Sequence, residues 1–216
     1  DDKTKGILKP FNVPSDHLLI DSEFYQAQMK CIFSEPIIEK RILINKEAFI
    51  SNIKKKHLVD LSHLTDECQE HEKKVKRPVV FTETAVAEVI NAYDKILVEG
   101  FNVSEMRKLY EVLYDSSERS AKYTSWQSIK LIEAILVKLS LSVDNIDIAS
   151  VMSPLYILHD YRILLDHLLS ADKISDTRQH IVDTLGVQSF NDQEAIYNEE
   201  IKRLNTLFNY LGILSK

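Results

Sequence analysis

Five polar side chains interrupt the most apolar stretch of this chain. His159, Asp160, Arg162, Asp166 and His167 stand among Leu158, Tyr161, Ile163, Leu164, Leu165, Leu168 and Leu169. Arginine keeps its charge throughout the physiological range, and histidine titrates near neutrality, so Arg162 and His167 are the candidates for chemistry. Unpaired charge in a core is costly, so these groups must pair, reach a cleft or meet a second subunit. Arg162 and His167 are five apart, which sets them about 140° apart around a regular helix. They converge only through long side chains, a kink, or a symmetric dimer that brings two copies together.

The elements that must position them read as helices. Thr82 or Thr84 can cap a helix whose stripe is Val86, Val89, Ile90, Tyr93, Ile96 and Leu97, with Gly100 at its end. Ser104 can cap the next, with Met106, Leu109, Tyr110 and Leu113 on one face. A long helix is expected over roughly 120–141, carrying Ile129, Ile132, Ile135, Leu136 and Leu139. Ser153-Pro154 reads as a helix start, and the apolar helix runs from there to about Ala171. A shorter helix over about 174–185 ends at Gly186, and a last one is capped near Asn191 or Asp192.

The fold class is therefore all-α, a multi-helix bundle over 79–216. Residues 1–78 form a less regular N-terminal arm and a polar helical segment, broken by Pro10, Pro14 and Pro36. Within it Ile37–Asn45 has β-branched residues and partial alternation, and reads as a short strand or an extended arm. The basic run before Pro78 is the domain boundary.

Arg162 followed by His167 matches an Arg-x4-His pattern and resembles the motif of HEPN domains, which are helical bundles. The lead-in Leu158-His159-Asp160-Tyr161 is similar to the helix entering that motif, whereas Ile163 stands where the family commonly has a polar residue. The resemblance implies a metal-independent endoribonuclease of the kind found in bacterial toxin and antiviral defence systems. Arg162 would stabilise the phosphate and His167 would move the proton, in a cleft shared by two copies. Asp160, Asp166 and His159 would line it. RNA-binding, a homodimer, a cytoplasmic setting and no cofactor follow as expectations. The alternative is a non-catalytic interaction or scaffold domain of a larger protein, with a protein partner. On the catalytic expectation, which the motif favours, Arg162→Ala leaves the melting temperature level or higher. On the alternative it strands a buried aspartate and lowers it.

Other constellations carry less. His63, Glu67 and His71 are spaced four apart, as if lining one helical face, but match no standard zinc motif, so no metal is expected. Lys54–Lys56 and Lys73–Arg77 read as solvated basic helix ends. Tyr110, Tyr123 and Trp126 read as core or interface aromatics. No Gly-rich phosphate loop, nucleophile elbow or CxxC pair is present, which argues against nucleotide triphosphatases, serine hydrolases and zinc ribbons.

Composition bounds the rest. The 216 residues are 44% hydrophobic and 28% charged, ordinary for a globular protein, and only 4 are glycine, which favours long helices with few turns. The formal net charge of -6 lacks the basic footprint of a permanent nucleic-acid binder. Two cysteines, Cys31 and Cys68, fit a reducing compartment, and no run of 18 apolar residues is present to span a membrane. The opening Asp1-Asp2-Lys3-Thr4-Lys5, without a methionine, reads as a cut inside something longer.

Overall fold

The computed structural model describes Met29 and residues 36–142, 146–166 and 168–216. The chain divides between Pro36 and Ile37, and 37–216 is one compact unit. This unit holds eight α-helices among the described residues. They are α1 (Ile38–His57), α2 (Thr65–Glu72), α3 (Glu83–Asp94), α4 (Val103–Leu113), α5 (Ser128–Leu139), α6 (Ile148–Asp166), α7 (Ala171–Leu185) and α8 (Gln193–Leu214). A π turn, Lys95–Glu99, continues α3. The only strand-like pairing among the described residues is one isolated bridge, Ser62 with Phe101.

Of Ile37–Asn45, where a strand or extended arm was expected, Ile37 is the N-cap and the rest belongs to α1. Its buried residues Glu39, Ile42, Leu43, Lys46, Phe49, Ile50 and Ile53 fall at helical spacing. That face packs along α8, the most extensive helix pairing in the unit. Burial of the stripe outweighs the modest preference of isoleucine for strands. Pro78 consequently lies inside this unit, and 37–78 is grouped with the bundle.

Several helix ends differ from the sequence expectation for local reasons. Thr82 does cap α3, accepting from the Ala85 amide at 3.2 Å. For α4 the cap is Asn102, not Ser104, because its Oδ1 accepts from the amides of both Ser104 and Glu105. The expected long helix over 120–141 is shortened to α5, preceded by a single 3-10 turn at Tyr123–Ser125. Tyr110 stacks on Tyr114 and Tyr123, with centroids 4.4 and 5.2 Å away, and meets Trp126 edge-on. Both faces of the Tyr110 ring are thereby covered, as for a core aromatic. Ser170, Gly186 and Asp192 punctuate α7 and α8 near the places the sequence marks, with Gly186 left-handed at φ 71.

The helix that carries the motif begins earlier than Ser153-Pro154 suggests. Asp147 caps it, accepting from the Ser150 amide at 3.2 Å, and Pro154 lies inside. Proline has no N–H for the Ser150 carbonyl. The Ser153 hydroxyl replaces it, donating to that carbonyl at 2.8 Å, and receives a hydrogen bond from Arg203 Nη1 at 3.3 Å. Once past the proline, α6 is enclosed by α3, α5, α7 and α8. Met152, Leu155, Ile157, Leu158 and Tyr161 are all buried. These apolar side chains are thus covered within the chain, whereas Leu168, beyond the end of α6, is exposed.

The core also holds charge. Glu200 on α8 is 0% exposed, and neither carboxylate oxygen has a hydrogen-bond partner among the described residues. Burial pushes its pKa well above the usual carboxylate range, against the pull of Arg203. A group whose folded pKa is raised contributes its stability below the unfolded pKa and loses it as pH rises through the folded value. Glu200 should therefore make the protein less stable as pH climbs from about 4.3, the ordinary glutamate value, towards neutrality. Glu200→Met removes an unsatisfied carboxyl and should raise stability by about 1–2 kcal/mol at pH 7.5. Thermal melts at pH 5 and pH 7.5 check both, with the gain smaller at the lower pH.

Candidate functional site

Arg162 sits in the last turn of α6 and faces the junction of α3 with its π turn. Its Nη1 lies 3.2 Å from Asp94 Oδ2 and also donates to Glu99 Oε1. Asp94 ends α3 and Glu99 ends the π turn. In a regular α-helix, residues five apart lie about 140° apart. The wider i→i+5 turn brings Asp94 and Glu99 onto one side, where a single guanidinium meets both. Lys95 extends the network, with Nζ 2.8 Å from Glu99 Oε2.

The two carboxylates sit in different surroundings. Asp94 is 0% exposed, and its Oδ1 has no hydrogen-bond partner among the described residues. Burial pushes its carboxyl above the ordinary aspartate value; Arg162 pulls it back, and Glu99 adds to the rise. For Glu99, burial is opposed by hydrogen bonds and charge from Lys95 and Arg162, which together hold it below the usual value. Arg162 is two-thirds buried, with 33% of its side chain exposed. The site is a cation between two anions, with a second cation on the outer one.

The remaining residues of the motif scatter. His167 lies outside the described residues, as does the side chain of Asp166. His159 is exposed. Asp160 turns away from the Arg162 cluster to α7, where its Oδ2 is 3.6 Å from His180 Nε2. Burial raises the Asp160 pKa, opposed by His180 and His159. Among the described residues, then, Arg162 is brought to Asp94 and Glu99, and Asp160 to His180.

Sequence reasoning missed Asp94 and Glu99. Asp94 follows Tyr93 on the buried side of α3, and a carboxylate there needs a cation. That was the available signal. The position of Glu99 was hidden, because nothing in Lys95–Glu99 marks a π turn.

The His63, Glu67 and His71 face is not formed. Leu64 adopts φ 48 and α2 begins at Thr65, so His63 precedes the helix. No group of three or more metal-ligating side chains gathers among the described residues. Lys54, Lys55, Lys56 and His57 end α1, where positive charge suits the helix dipole. Arg77 is anchored on α8, donating to Asn198 at 2.8 Å and lying 5.0 Å from the Phe81 ring centroid. No described helix is long and apolar enough to cross a membrane.

Comparison with family models, with curated proteins and with solved structures gives no match.

Proposed function

We propose that this chain is a non-catalytic helical interaction module, in which Arg162 is a structural cation fastening α6 to the end of α3. The observation that supports this is the pairing of Arg162 with the wholly buried Asp94 and with Glu99. A guanidinium already neutralised by two carboxylates offers little net charge to a phosphate. The buried residues of α6 are covered by helices of the same chain, so their burial calls for no second copy. A protein partner and a cytoplasmic setting belong to this proposal. Its test is incubation of the purified protein with single-stranded and structured RNA in the presence of chelator. No cleavage above background is expected, and cleavage that disappears in His167→Ala contradicts it.

One observation favours a second reading, the HEPN-like metal-independent endoribonuclease of a defence or toxin system. The π turn lies beside the exposed third of Arg162, and such turns are frequent at functional sites. In that reading Arg162 exchanges a carboxylate for RNA phosphate, His167 moves the proton, and two copies build the cleft. Light scattering separates the two: a mass of one chain at micromolar concentration supports the module, and a stable dimer with metal-free cleavage supports the nuclease.

A further inference from the structure

Among the described residues Lys46 is the only buried lysine, at 4% exposure. It projects from the middle of α1 and helps to line a cavity of about 310 Å³. Glu47, Ile50, Ser62, His63, Cys68 and Glu72 share that lining. The nearest carboxylate oxygen recorded for the Lys46 Nζ is Glu47 Oε1 at 3.9 Å, beyond hydrogen-bond reach, and the Phe101 ring centroid is 5.3 Å away. No described residue accepts a hydrogen bond from Nζ.

An ammonium group has three protons to place. A buried one without acceptors is expensive, and a methionine would fill the same space at lower cost. Burial therefore raises the share of neutral amine at this position above that of an exposed lysine. Burial accordingly pushes the Lys46 pKa down, against Glu47, Cys68 and Glu72, which pull it up. A neutral amine opening on a cavity is a nucleophile.

We propose that Lys46 is a carbonyl-capturing amine, and that small neutral aldehydes enter this cavity and condense with its Nζ to an imine. The nitrogen lone pair attacks the carbonyl carbon, and the carbonyl oxygen takes up a proton. The carbinolamine nitrogen then releases its proton and the hydroxyl leaves as water, so that aldehyde plus amine gives imine plus water. His63 and Glu72 line the same cavity and carry groups of the kind that exchange such protons through water. The ligand class follows from the walls. Glu47 and Glu72 disfavour an anionic carbonyl compound, Ile50 offers apolar contact to a short alkyl chain, and the volume is ample for one. Cys68 does not compete as a nucleophile, because burial raises its pKa and keeps it a thiol.

The test is reductive alkylation of the folded protein with n-butanal and sodium cyanoborohydride at sub-saturating concentration, mapped by peptide mass spectrometry. Lys46 should be alkylated faster than Lys54, Lys55 and Lys56, because burial lowers its pKa and so raises its share of neutral amine. The preference should vanish in urea and should weaken when anionic 4-oxobutanoate replaces butanal. Equal or slower reaction of Lys46 in the folded protein would overturn the proposal, as would a preference that survives in urea. Equal labelling by the two aldehydes would overturn the charge selection. All comparisons are made within the wild-type chain, so no variant has to fold.

Discussion

Arg162→Ala should lower the melting temperature by roughly 10 °C at pH 7.5. The substitution leaves Asp94, with 0% exposure, facing no guanidinium. Breaking a buried pair from one side typically costs about 3–5 kcal/mol. One-third exposure of Arg162 places this pair at the low end, about 3 kcal/mol, and each kcal/mol moves the midpoint by about 2–4 °C at this size. The deficit should depend on pH. Without Arg162 the Asp94 carboxyl is raised further by burial, so its contribution is retained at low pH and lost as pH rises through that raised value. Melts at pH 4.5 and pH 7.5 should therefore show a smaller gap at pH 4.5. A melting temperature that stays level at both would return Arg162 to the catalytic expectation.

Gly100→Ala should cost about 2–3 kcal/mol, read as a fall in melting temperature of roughly 5–10 °C. The reason is space and not backbone freedom, since Gly100 has φ -73. An added Cβ would lie 2.4 Å from the Ile96 carbonyl oxygen and 2.8 Å from Cys68 Sγ. The first of these is backbone of the π turn and cannot swing aside. Relief would require the turn to unwind, which would also move Glu99 away from Arg162. Gly100→Ala and Arg162→Ala should consequently combine to less than the sum of their separate effects. Full additivity would show that the π turn and the Arg162 pair are independent.

The apolar stripes of α3, α4 and α8 were legible because each repeats at helical spacing and is preceded by a capping side chain. For α1 the same periodicity was present in Ile42, Phe49, Ile50 and Ile53. It was masked by β-branched neighbours and by Glu39 and Lys46, two charges on the buried face. Pro154 misled for a different reason. Proline marks a first turn only when nothing else accepts the role of its missing amide, and here the Ser153 hydroxyl does so. Arg162 was legible as a charge needing a partner. Its partners were not, because the sequence around Asp94 and Glu99 looks like a regular helix and a regular helix would separate them. The amine at Lys46 was equally hidden, because the cavity depends on the packing of α1 against the segment 62–72 and Gly100.

Whether Arg162 acts as a structural cation is measured most directly by a double-mutant cycle. Wild type, Arg162→Ala, Asp94→Asn and the combined variant are unfolded in urea at pH 7.5. Removing the stranded charge should rescue the arginine deletion. The combined variant should be less destabilised than the sum of the two by about 1–3 kcal/mol, the range for residues in one ion-pair network. Additivity to within about 0.5 kcal/mol, as for independent sites, would contradict the account.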